Sequence, residues 1–107
     1  MKQIRIGAYD YSLMVQEDLL SDRHETLLGE IKYNQQEIRI ELNQTQQSKA
    51  IVLLHEVVHG ILSNSGIKQN EKTVDQVSQG IAMFLRDNVP NAWEELLKMF
   101  EGAEPVK

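Results

Sequence analysis

The chain has 107 residues, 41% of them hydrophobic and 25% charged, so it can bury one core as a single domain, 1–107, and is too short for separate catalytic and regulatory units. It has no cysteine, which excludes disulfides, thiolate metal ligands and a cysteine nucleophile. A net charge of −5 without a basic cluster argues against a nucleic-acid partner; the absence of any long apolar run or signal-like start argues for a cytoplasmic protein with no membrane partner.

Residues 2–16 alternate: Ile4, Ile6 and Ala8 against Gln3, Arg5 and Gly7, then Tyr9, Tyr11, Leu13 and Val15 against Asp10, Ser12, Met14 and Gln16. Period two predicts a strand, broken near Gly7. Residues 17–26 are polar and patternless, a loop or a short helical turn. His24-Glu25 resembles half of a metal motif, but Leu28 stands where a second histidine would be, so His24 reads as a solvated loop residue. Residues 27–42 read as a hairpin about Asn34-Gln35-Gln36, in which Ile38, Ile40 and Leu42 alternate with Glu37, Arg39 and Glu41. Gly29 reads as a bulge.

A first helix is predicted from Ser48 to Ser63, with Thr45 as N-cap and an end near Asn64-Ser65-Gly66. It is apolar around most of its circumference, and its polar stripe holds His55, Glu56 and His59. Gly60 inside it costs about 1 kcal/mol relative to alanine, which implies a close approach by another element. A second helix, 71–87, follows the N-cap Asn70, with an expected core face of Val74, Val77, Ile81, Phe84 and Leu85. A third, 91–101, buries Trp93, Leu96, Leu97 and Phe100, and the tail 102–107 is expected to fray. The fold class is α+β: a small antiparallel N-terminal sheet packed on about three C-terminal helices.

The chemistry centres on His55-Glu56-Val57-Val58-His59, an H-E-x-x-H pattern. On a helix, histidines four apart leave the same face, where one Zn²⁺ ion can accept both imidazoles. Glu56 projects about a quarter turn away and can serve as general base toward a zinc-bound water. The motif is short and also occurs by chance, in which case the chain would be a small helical adaptor. A catalytic zinc needs a third protein ligand, and the second helix offers Glu71 and Asp75 on one edge, continued by the small residues Ser78 and Ala82. Small side chains would let the two helices approach. One acid could then reach the metal while the other holds the free N–H of a ligating histidine.

His55-Glu56-Val57-Val58-His59 followed by Asn70-Glu71-Lys72-Thr73-Val74-Asp75 resembles the gluzincins, the thermolysin-type metallopeptidases, with H-E-x-x-H and then N-E-x-x-x-D. By position, the resemblance implies that Glu71 is the third zinc ligand and that Asp75 supports His55. Size and strand-strand-helix order look more like the small ImmA/IrrE-like zincins of bacteria and prophages. The resemblance is specific over about residues 50–88. It departs from the thermolysin type in having no Tyr or His after His59, so Tyr33 or Arg39 of the hairpin is the candidate for substrate or oxyanion contact.

The expected function is therefore hydrolysis of a peptide bond in a protein or peptide substrate lying extended along a sheet edge, with His55, His59 and Glu71 on zinc and Glu56 as base. By resemblance the substrate would be a regulator. The alternative is a catalytically weak or inactive zincin-fold binding or regulatory module, which the missing downstream Tyr and His favour. Oligomeric state is left open.

Overall fold

The alternation of the N-terminal half becomes four strands in the computed structural model, which describes residues 2–101 and 105–106. β1 (Lys2–Ile6) and β2 (Tyr9–Gln16) form a hairpin, turned at Gly7 with φ +60, a conformation glycine takes without strain. β3 (Gly29–Lys32) and β4 (Glu37–Glu41) form a second hairpin. The hairpins join through β2 and β4, which run parallel, with Leu13 beside Ile38 and Val15 beside Ile40. The sheet is thus mixed, in the order β1-β2-β4-β3, rather than wholly antiparallel as expected. The reason is that the connection 17–28 starts β3 level with the end of β2 but one strand farther out; β3 carries the chain back, and β4 then fills the gap between them in the direction of β2. From the expected fraying tail, Pro105–Val106 forms β5, parallel to β2 at Val15 and Gln16; residues 102–104 and 107 lie outside the described residues.

One face of the sheet holds the apolar set. Ile6, Tyr11, Leu13, Val15, Ile38 and Ile40 are all buried, and α1 (Gln46–Asn64) lies across them with Ala50 and Leu53. Each fully buried Leu or Ile contributes about 1.5–3 kcal/mol relative to exposure. The opposite face carries Arg5 paired to Asp10 at 2.9 Å and Arg39 paired to Glu37 at 2.9 Å. Strand alternation alone separates the two sets.

α1 begins where Thr45 accepts the N–H of Ser48 at 3.0 Å. It closes with Gly66 at φ +69 and the N–H of Ile67 donating to the Leu62 carbonyl at 2.9 Å. That tight turn sends α2 (Glu71–Asn88) back along α1, capped by Asn70, whose side chain accepts the N–H of Thr73 at 3.2 Å. α3 (Pro90–Lys98) follows at once, with proline in its first turn, where no N–H partner is lost. Trp93, and Phe100 beyond its end, are buried as expected, whereas Leu96 and Leu97 are only half-buried. The architecture is α+β: a sheet in the N-terminal half, with three helices of the C-terminal half packed on one face. Among the described residues no helix is long and apolar enough to cross a membrane.

The packed face of α2 departs from the expectation. Val74, Ser78 and Ala82 are buried, whereas Val77, Ile81 and Phe84 are 45%, 38% and 59% exposed. Bulky side chains at the crossing would hold α2 away from α1. Small ones allow close contact, and rotating the helix to bring them inward also turns its N-terminal acids toward α1. Gly60 has the close approach its position implied: a Cβ there would lie 2.7 Å from Ile6 Cδ1 and 3.1 Å from Ile31 Cδ1. Gly29 is not a bulge, since it pairs in regular register with Ile40; a Cβ there would lie 2.4 Å from Val52 Cγ1, so its small size seats α1 on the sheet edge.

Glu41 holds the connection 17–28 in place. It sits on the polar side of β4 yet is buried, because its two oxygens accept the N–H groups of Leu19 at 2.8 Å and Asn43 at 2.9 Å. Burial alone would raise this carboxyl, but the backbone donors outweigh it and hold it below its ordinary 4.5. Glu41→Gln turns an amide donor toward one of these N–H groups and should cost about 2 kcal/mol at pH 7. Because the folded-state value is the lower one, wild-type Glu41 is stabilising above the unfolded value of 4.5 and loses that advantage as the pH falls through the folded value. Urea titrations of both proteins should show the gap closing below about pH 4.5; a gap constant from pH 7 to 3 would contradict the assignment.

Candidate metal centre

His55 and His59 leave α1 one turn apart, with ring centroids 4.9 Å apart and planes at 65°. Both are largely enclosed, with side chains 18% and 13% exposed. Their Nε2 atoms converge on Glu71 in the first turn of α2: Oε1 is 2.5 Å from His55 Nε2 and 3.2 Å from His59 Nε2, and Oε2 is 3.1 Å from the latter. All three ligand atoms lie within 4.8 Å of one another. Zinc holds such ligands at about 2.0–2.2 Å, so tetrahedral neighbours sit about 3.3–3.5 Å apart. The His59–Glu71 separation nearly meets that requirement, and the His55–Glu71 pair must part by roughly 1 Å. The Glu71 side chain is 71% exposed and free to rotate that far. The donor set fits zinc: two neutral nitrogens, one carboxylate and an open side toward solvent.

Each imidazole also has a partner at Nδ1, which leaves Nε2 for the centre. His55 Nδ1 lies 3.6 Å from Asp75 Oδ1, within ion-pair range and just beyond a hydrogen bond. His59 Nδ1 meets the Gln69 side-chain oxygen. Asp75 stands where the sequence placed it, whereas Gln69 was not foreseen. The available signal is chemical: a histidine that ligates a metal through one nitrogen ordinarily has an acceptor at the other, so two acceptors are required. Gln69→Leu should lower zinc affinity about tenfold in competition with a chromophoric chelator. An unchanged affinity would make Gln69 a bystander.

Glu56 points into the same cleft and is buried, at 7% exposure. Burial pushes its carboxyl up to about 7, with neighbouring Glu71 and Glu30 adding to the rise and His55 and His59 opposing it. At His59, burial favours the neutral ring but is outweighed by Gln69, Glu71 and Glu56, so its pKa is raised. At Glu71, burial is outweighed by the two imidazoles, so its carboxyl is lowered.

The cleft has a volume of about 640 Å³. Its floor is α1, one wall is the segment from Thr26 to Ile31, and the other is Gln69, Glu71 and Asp75. β3 is the end strand of the order β1-β2-β4-β3, so one of its edges faces the cleft unpaired by any described strand. Tyr33 also lines the cleft, and its hydroxyl donates to the His59 carbonyl at 3.4 Å. Arg39 does not reach it. Alternation on β4 sends Arg39 to the opposite face, where it donates to Glu37 at 2.9 Å and to Gln16 at 2.7 Å. Arg39 is therefore withdrawn as a substrate or oxyanion residue. His24 stays in its exposed loop.

Compared with protein-family models, with curated proteins and with solved structures, the chain matches none.

Proposed function

We propose that the chain is a zinc-dependent metallopeptidase that cleaves a peptide bond in an extended segment of a protein substrate. The observation that carries this reading is Glu56. It is a buried carboxyl, beside three converging metal-type ligands, with no side-chain hydrogen bond to any described residue. No described side-chain oxygen sealed from solvent lacks a partner, so the Glu56 carboxyl opens onto the cleft, where a purely structural role gives it nothing to hold. A general base poised near neutral pH is the role that uses it.

His55, His59 and Glu71 would hold the metal, with Asp75 and Gln69 fixing the two rings. Zinc bound there supplies Lewis-acid polarisation of the scissile carbonyl and acidifies a water. Glu56 takes a proton from the attacking water and returns it to the departing amine, which must leave protonated. The Tyr33 hydroxyl is a side-chain donor on the cleft wall that could face the charge developing on the carbonyl oxygen. The open edge of β3 would receive the substrate backbone as an added strand. The expected substrate is a cytoplasmic protein, in keeping with the resemblance to the small bacterial zincins. A binding module on the same fold is the second reading, favoured by the lack of any Tyr or His after His59.

Incubation of the zinc-loaded chain with an unfolded protein mixture should give fragments, stopped by chelator and restored by zinc. No new fragments from the zinc-loaded chain would favour the binding module.

A further inference from the structure

All three tyrosines of the chain line one cavity. It measures about 450 Å³ and lies beside the metal cleft, sharing Tyr33 with it. Tyr9 and Tyr11 come from the helix-facing side of β2. Tyr33, Asn34 and Gln36 come from the turn between β3 and β4, and Asn64 from the last position of α1. No charged residue lines it among the described residues.

Tyr11 is the informative member. It is only 5% exposed, yet its hydroxyl makes no hydrogen bond to any described residue. Buried tyrosines ordinarily find a partner for that group. No described side-chain oxygen or nitrogen sealed from solvent lacks a partner, so the Tyr11 hydroxyl must open onto free space, and the cavity it lines is that space. Burial, with Tyr33 and Tyr9 nearby, raises its pKa above the ordinary 10.0, so it stays protonated and can donate.

We propose that this cavity is a recognition subsite for an uncharged side chain ending in a hydrogen-bonding group, a carboxamide or a phenol. The aromatic rings offer faces to a planar group. The phenols and the amides of Asn34, Gln36 and Asn64 offer both donors and acceptors. A charged side chain would lose its hydration and meet no counter-charge. β3 runs from the metal cleft toward Tyr33, so a peptide laid along its edge passes the metal ligands and delivers a later side chain here. That the subsite selects cleavage positions rests on the peptidase reading; that it binds such a group does not.

The test uses the full chain labelled with fluorotyrosine, whose three fluorine signals report this one cavity. N-acetylglutaminamide and N-acetyltyrosinamide should shift all three together and saturate. N-acetylglutamate amide and N-acetyllysinamide should leave them in place. Tyr11→Phe should weaken the neutral probes about fivefold, read on the two remaining signals, with melting temperature and zinc content unchanged. Silence toward every probe, equal binding of the charged ones, or full affinity in Tyr11→Phe would overturn the subsite. In a second arm, a positional peptide library should be cut with Gln, Asn or Tyr enriched at one fixed position, and Tyr11→Phe should flatten that preference. A library left uncut counts against the peptidase reading while the probe titration still decides the subsite. Cutting without such a preference would remove its selective role.

Discussion

Glu56→Gln is expected to lower peptide-bond cleavage about a thousandfold while leaving zinc content unchanged. General acid–base catalysis is worth about 10²–10⁴-fold, and among the described residues Glu56 is the one carboxyl of the cleft that is buried, without a hydrogen-bonded partner and outside the ligand set. Glutamine keeps the shape and cannot take the proton. The substitution should also raise stability by about 1 kcal/mol, because a neutral amide replaces a carboxyl that folding strips of water. Loss of activity together with a higher melting temperature is the signature of a group kept for chemistry at the expense of the fold. Turnover equal to wild type in the zinc-loaded variant would remove Glu56 from the mechanism and favour the binding module.

His59→Ala is expected to cost zinc affinity at least a thousandfold, so that the purified variant carries no metal by elemental analysis. Two of the three converging ligands then remain, fewer than a catalytic zinc ordinarily keeps. Two comparisons make the result specific. Glu71→Gln should also lose metal, since it removes the anionic ligand from the other helix. His24→Asn should retain it, since His24 lies in an exposed loop and asparagine tolerates its φ of 63. Equal zinc in wild type, His59→Ala and His24→Asn would leave the His-His-Glu cluster without a metal to hold.

Local chemistry made much of this legible in advance. The helix caps Thr45 and Asn70, the glycine stop at Gly66, and the hairpin turn near Asn34 each depend on a few neighbouring residues, and each stands where read. The pairing of His55 with His59 is also local, because one helical turn spans them. The prediction for α2 failed in an instructive way. Its largest apolar residues, Val77, Ile81 and Phe84, suggest an inward face by hydrophobicity alone. The contact instead selected Val74, Ser78 and Ala82 by size, and a periodicity count ranks hydrophobicity without weighing how near two helix axes must come. The same limit applies to Arg39. Its alternation with Ile38 and Ile40 is plain in the sequence, but which face of the sheet the helices cover is not written in β4 alone.

From the residues in order one can read the helix carrying two imidazoles and a carboxyl, the acids that open the next helix, and the strands that precede both. These depend on turns, caps and periods only a few residues long. Chain return decided the rest: the parallel joining of β2 to β4, the meeting of Glu71 with both histidines, the Gln69 contact, and the placing of Tyr33 beside Tyr9 and Tyr11 round one cavity. Such contacts join residues 10 to 25 positions apart, and their geometry is set by which side chains are small enough to let whole elements approach. No short window of sequence contains that information.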